Sequence, residues 1–146
     1  MNPRSILLVE DNPSDIALTQ RAMARSAIKN PLVVAESGQQ ALDYLFGSGE
    51  YASHGAGDAP ILILLDLKLP RIDGLEVLRR IRADSRTRRI PVVILTSSGE
   101  QTDIAAGYDL GANSYIRKPV DFHQFAETIR QLGLYWLAIN EPPPQG

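Results

Sequence analysis

The sequence predicts an α/β fold, a doubly wound parallel sheet of five strand-helix units, from three observations. Short apolar runs recur along the chain, continuous rather than alternating, as expected of strands covered on both faces. The segments between them carry apolar residues at helical spacing behind capping residues. A length of 146 residues suits one domain with a sizeable core.

Ile6-Leu7-Leu8-Val9 reads as the first strand. Asn12 and Pro13 open a helix near 14 to 27, with Ile16, Leu18, Ala22 and Met23 along its apolar side. Leu32-Val33-Val34-Ala35 is the second strand, and Ser37 with Gln40 forms a capping box for a helix over 38 to 46. Gly47 to Ala59 is Gly-rich and without periodicity, so a long loop is expected there. The third strand is Ile61 to Leu65, followed by a helix over 74 to 83 carrying Leu75, Val77, Leu78 and Ile81. Val92-Val93-Ile94-Leu95 is the fourth strand and leads to a helix near 102 to 110. A weaker fifth strand lies around Tyr115-Ile116, after which Asp121 caps, with Gln124, a last helix over 122 to 139. This order suggests the flavodoxin-like arrangement 2-1-3-4-5. Residues 1 to 139 are expected to form the domain, and 140 to 146 a Pro-rich tail.

Composition narrows the function. Hydrophobic residues make up 44% and charged residues 22%, as in ordinary globular folds. The chain has no cysteine, which excludes disulfides, thiolate metal sites and cysteine nucleophiles and agrees with a cytoplasmic setting. Neither a signal-peptide core nor a membrane span of roughly 20 apolar residues is present. A net charge of −2 gives no general pull toward nucleic acid or anionic membrane.

In a sheet of this order the ligand site lies at the carboxyl ends of the strands, between the first and third. Those ends carry Glu10, Asp11 and Asp66. At about 4 Å and an effective dielectric near 20, each pair of carboxylates would repel by about 4 kcal/mol. A divalent cation relieves this, and an all-oxygen site with few protein ligands suits Mg²⁺. Asp11 or Asn12 alone reads as a helix cap, but the three acids together at the switch point read as a site. They also argue against a flavodoxin, whose first loop must receive a phosphate through backbone and hydroxyl donors. Thr96 and Lys118 end the fourth and fifth strands, so a hydroxyl and an ammonium would flank the same pocket. A phosphoryl group on Asp66 needs such partners, because it adds nearly two negative charges beside existing acids.

Val9-Glu10-Asp11-Asn12, Leu65-Asp66-Leu67-Lys68-Leu69-Pro70, Asp73-Gly74, Leu95-Thr96-Ser97 and Tyr115-Ile116-Arg117-Lys118-Pro119 together resemble the receiver domain of two-component response regulators. The resemblance runs from residue 5 to about 132, in the family's order and spacing. It implies that Asp66 accepts a phosphoryl group from a histidine kinase in a Mg²⁺-dependent phosphorelay. Asp11 and Asp66 would bind Mg²⁺ by their carboxylates, Glu10 largely through water, and Lys68 by its backbone carbonyl. Lys118 would pair with the phosphoryl oxygens, its bond to Pro119 being cis in the family. Thr96 and Tyr115 would be the switch pair, and Lys68 and Ser98 would tune hydrolysis. Such a protein is a phosphoacceptor that takes part in its own phosphorylation and dephosphorylation, not an enzyme with an external substrate.

No output module follows the receiver, so signalling is expected through protein contact, or else the chain serves as a phosphate sink or intermediate relay. The Gly-rich loop and the ending Leu134-Tyr135-Trp136-Leu137-Ala138-Ile139 resemble single-domain regulators paired with bacterial phytochromes. Phe122, Phe125, Ile129, Leu132, Trp136 and Ile139 form a stripe on the last helix. Beyond Leu132 no sheet remains to cover it, so Tyr135, Trp136 and Leu137 are expected to be exposed as the interface of a homodimer. Two other readings are weaker. A Mg²⁺-dependent aspartyl phosphatase usually has a second acid two residues after the nucleophile, where this chain has Lys68. The arginines at 79, 80, 82, 86, 88 and 89 read as a solvated face rather than a nucleic-acid site. His54 and His123 have no metal-binding spacing and read as surface residues.

Overall fold

The computed structural model describes residues 4–26, 28–49 and 59–144. The strands are β1 (Ile6–Val9), β2 (Leu32–Ala35), β3 (Leu62–Leu65), β4 (Val92–Thr96) and β5 (Ser114–Arg117). The helices are α1 (Pro13–Arg25), α2 (Gly38–Phe46), α3 (Gly74–Ala83), α4 (Gln101–Asp109) and α5 (Phe122–Gly133). All strand pairs are parallel, in the order β2-β1-β3-β4-β5.

Alternation within each strand builds two cores. Leu7, Val9, Ile63, Leu65 and Ile94 face α2 and α3, where Leu42, Val77, Leu78 and Ile81 cover them. Ile6, Leu8, Leu64, Val93 and Leu95 face α1 and α5, against Ala22, Met23, Phe125, Ile129 and Leu132. Burial on both sides is why the strands read as unbroken apolar runs. The weaker signal of β5 goes with its partial exposure, Ser114, Tyr115 and Ile116 being half-buried and Arg117 exposed.

The expected caps form. Asn12 Oδ1 accepts from the Ser14 and Asp15 amides, Ser37 from Gln40, and Asp121 from Gln124. Gln40 reaches back to the Glu36 amide, one residue before the cap. At α3 the cap is Asp73, which accepts from the Glu76 amide.

The structure corrects the last helix. α5 ends at Gly133, and Leu134–Ile139 continues as a π-helical segment closed by the Asn140 amide on the Tyr135 carbonyl. Gly133 packs against Ile28, where a Cβ would come within 2.5 Å of Ile28 Cδ1. The wider turn rotates the apolar stripe. Trp136 and Leu137 are half-buried against the chain's own second core, contrary to the exposure expected of them. Leu134, Tyr135 and Ile139 are the large apolar side chains of this segment left outward, with Tyr135 48% exposed and set edge-on to Trp136.

A second correction concerns the Lys118–Pro119 bond, which is trans, since no cis peptide bond occurs among the described residues. The trans isomer is the ordinary preference of an X–Pro bond. The register of β5, with the Lys118 amide on the Thr96 carbonyl at 2.7 Å, is enough to deliver the lysine to the strand ends. Most of the Gly-rich segment and His54 lie outside the described residues. No described helix is long and apolar enough to cross a membrane.

Candidate functional site

The sheet continues by single hydrogen bonds past the strand ends. The Glu10 amide donates to the Ala35 carbonyl at 2.9 Å and the Asp66 amide to the Val9 carbonyl at 3.0 Å. These bonds set Glu10 and Asp66 side by side at the sheet's carboxyl edge, both buried, with Asp11 exposed beside them. One oxygen from each of Glu10, Asp11 and Asp66 lies within 4.8 Å of the others. The expected convergence of the three acids is therefore present.

Gly74 lets α3 begin beside this cluster. A Cβ there would stand 2.2 Å from the Asp66 carbonyl oxygen and 2.7 Å from the Leu67 Cα. Its amide donates to the Leu67 carbonyl at 3.0 Å, closing the loop against the strand end. Within that loop Arg71 takes a left-handed backbone, φ 64°, which favours glycine and is costly for a side chain.

Lys118 joins the acids. Its Nζ lies 2.5 Å from Glu10 Oε1, 2.8 Å from Asp15 Oδ2 and 3.1 Å from Asp66 Oδ2. The Lys68 amide donates to Asp66 Oδ1 at 3.2 Å, so the peptide after the acid also faces the cluster. Thr96 is fully buried, and its Oγ1 lacks a formed hydrogen bond, an uncommon state for an inward hydroxyl.

These contacts split the two buried acids. At Asp66 burial opposes ionisation, but the nearby Thr96 hydroxyl, the Lys118 charge, the Lys68 amide and Glu10 outweigh it and hold the carboxyl below its usual range. At Glu10 burial dominates, Lys118 offsets part of it and the charge of Asp66 adds to it, taking the carboxyl up to about 7. Burial also works against the Lys118 charge, yet the hydrogen bonds to Asp15 and Glu10 raise the ammonium above its ordinary value. Asp66 is thus the ready nucleophile of the pair. One ammonium among several carboxylates leaves the pocket negative, and the all-oxygen donors of Glu10, Asp11 and Asp66 suit a hard divalent cation such as Mg²⁺.

Beside this pocket the Tyr115 hydroxyl donates to the Ser98 carbonyl at 3.0 Å. Ser98 Oγ donates to Asp103 Oδ2, which also pairs with Lys68 Nζ at 3.3 Å. Asp15 and Asp103 are the residues that sequence reasoning missed. Asp15 had a signal only as an acid in the first turn of the helix that starts behind Glu10 and Asp11. Asp103 had none, because its partners meet only in the folded chain. His123 is exposed, edge-on to Phe122. The arginine run is less uniform than a solvated face: Arg79 and Arg80 pair with Glu76, and Arg86 with Asp84. Arg82 instead turns inward onto the carbonyls of Gly111, Arg88 and Ile90 and onto Asn113 Oδ1.

Residues 6–130 match the family model described as the response regulator receiver domain. The curated response regulator Rcp1 of Synechocystis sp. (strain ATCC 27184 / PCC 6803 / Kazusa) is 38% identical over 135 residues, 92% of this chain and 90% of that protein. The solved Mn²⁺-bound form of Rcp1 superposes with a TM-score of 0.90 at 37% identity, over 97% of this chain and 100% of the other. The phosphorylated cyanobacterial phytochrome response regulator RcpA gives 0.91 at 41% identity, over 97% and 99%. The bacteriophytochrome response regulator AtBRR gives 0.77 at 48% identity, over 97% and 100%. With its five parallel strands in the order 2-1-3-4-5 and its acids at the switch point, the chain belongs to the response regulator receiver domain family.

Proposed function

We propose that this chain receives a phosphoryl group on Asp66 from a histidine kinase and signals by the surface change that follows. The observation that carries the reading is a buried Asp66 carboxylate held ionised between Lys118 and the Lys68 amide, with the unpartnered Thr96 hydroxyl beside it. Asp66 Oδ attacks phosphorus as the donor's P–N bond breaks, and the electron pair returns to the imidazole. Lys118 then pairs with the phosphoryl oxygens, and Glu10 and Asp11 face the added charge. Mg²⁺, held by Asp11 and Asp66, by Glu10 through water and by the Lys68 carbonyl, would neutralise charge that builds on the transferring group. Thr96 moves to the phosphoryl group and Tyr115 leaves the Ser98 carbonyl to fill the space behind it.

The kinase partner is a phytochrome-type sensor, a reading supported by the names of RcpA and AtBRR. The setting is the cytoplasm. Two copies pair through the end of the last helix, where Tyr135, Trp136 and Leu137 were expected and where Leu134, Tyr135 and Ile139 offer the outward apolar surface. A monomeric mass in light scattering at tens of micromolar would remove the dimer.

Incubation with acetyl phosphate and Mg²⁺ tests the central claim. Wild type should gain one phosphoryl group by mass and Asp66→Asn none; an unmodified wild type, or equal gain in both, ends the reading.

A further inference from the structure

Asp15 stands at the third position of α1, where an acid is expected simply because helix starts favour negative charge. That account needs no partner on another element. Yet Lys118, 103 positions later, places its Nζ 2.8 Å from Asp15 Oδ2.

The lysine's donors are limited. An ammonium has three N–H groups, and three carboxylates meet this one: Glu10 at 2.5 Å, Asp15 at 2.8 Å and Asp66 at 3.1 Å. The lysine side chain is only 9% exposed, so water has little access to substitute for any of them. All three donors are taken, and the place the ammonium adopts among the carboxylates leaves Asp66 with the longest of the three contacts.

The main chain of Asp15 is held on both sides. Its amide donates to Asn12 Oδ1, and its carbonyl accepts from the buried Thr19 hydroxyl at 2.8 Å. Its carboxylate is not one of the three whose oxygens gather within 4.8 Å, so its business is with the lysine. Burial works against the Lys118 charge, and the hydrogen bonds it donates to Asp15 and Glu10 raise the ammonium in spite of that.

We propose that Asp15 is a positioning residue: it draws the Lys118 ammonium away from Asp66 and so sets both the rate at which Asp66 is phosphorylated and the rate at which the acyl phosphate is lost. The proposal rests on the phosphoacceptor reading above. Without the Asp15 charge the ammonium shifts toward Glu10 and Asp66 and blunts Asp66 as a nucleophile. After transfer, the same ammonium lies closer to the phosphoryl oxygens and holds them against water. In labelling by acetyl phosphate, an Asp66 O–P bond forms and the acetate leaves with its electron pair. In hydrolysis, water bonds to phosphorus, Asp66 leaves with its pair, and the proton goes to inorganic phosphate.

The test compares wild type, Asp15→Asn, Asp15→Glu and Asp66→Asn with acetyl phosphate and Mg²⁺, following gain of mass and its loss after donor removal. Asp15→Asn should label about fivefold more slowly and lose its label about fivefold more slowly, the effect of about 1 kcal/mol on each barrier. Asp15→Glu should restore both rates toward wild type. In the unlabelled protein, the NMR signals of the Lys118 side chain should shift in Asp15→Asn, which a purely helix-capping acid would not cause. Thermal melting checks the fold, and Asp15→Ser carries the same expectations where Asp15→Asn melts early. Wild-type rates with unmoved Lys118 signals, or one rate rising as the other falls, overturn the proposal. A wild type that never labels overturns the phosphoacceptor reading instead, while normal wild-type labelling with an indifferent Asp15→Asn removes this inference alone.

Discussion

Replacing Gly74 by alanine should damage both stability and phosphoacceptance, because the new methyl group has nowhere to go. Its carbon would sit 2.2 Å from the Asp66 carbonyl oxygen, 2.7 Å from the Leu67 Cα and 3.0 Å from the Asp66 carbonyl carbon. All three are backbone atoms of the segment that carries the acceptor, so no side chain can rotate aside. Overpacking of this kind costs about 1–3 kcal/mol. At about 3 °C per kcal/mol for a domain of this size, the melting temperature should fall by about 3–9 °C. The displaced peptide also carries Asp66 away from Lys118 and from the Lys68 amide, so labelling by acetyl phosphate should slow in protein that is still folded at the assay temperature. Circular dichroism melting and mass spectrometry measure the two effects. A Gly74→Ala protein that melts within about 3 °C of wild type, the smallest shift expected of such a clash, and labels at the same rate would refute the steric argument.

Three further outcomes are expected. Lys118→Ala strips the buried Glu10 and Asp66 carboxylates of their shared cation, a loss of about 3–5 kcal/mol for a broken buried pair; melting should drop sharply in EDTA and recover in part with Mg²⁺, and equal melting in both buffers would contradict it. Thr96→Val removes the buried hydroxyl beside Asp66, so the phosphorylation-linked change in the Tyr115 ring signals should disappear in NMR, and signals that still change would refute the switch role. Glu10, raised to about 7, binds a proton more readily folded than unfolded, so without metal its contribution to stability is complete below about 4.5 and fades as pH rises through 7. Mg²⁺ must compete with that proton, so calorimetric affinity should weaken by about fivefold between pH 7 and pH 6, and flat affinity over that range would count against the raised carboxyl.

The apolar runs and capping residues made the five units, their order and their helix starts legible, because each depends on neighbours within a few positions. The convergence of Glu10, Asp11, Asp66, Thr96 and Lys118 was legible one step later, since a parallel sheet brings its strand ends to one edge whatever the side chains are. Strand β5 spoke softly because its side chains are only half-buried, with Arg117 exposed. What only the tertiary structure decided was how side chains from distant elements divide the space and charge at that edge. Asp15 and Asp103 look like ordinary first-turn acids until Lys118 and Lys68 arrive from other loops. Gly133 admits the close approach of Ile28, and beyond it Trp136 and Leu137 pack on the chain's own second core although no sheet remains there to cover them. The sequence by itself determines local propensity and pattern; the partner of a polar group, and the exposure of a helix beyond its sheet, depend on contacts between elements that no local pattern contains.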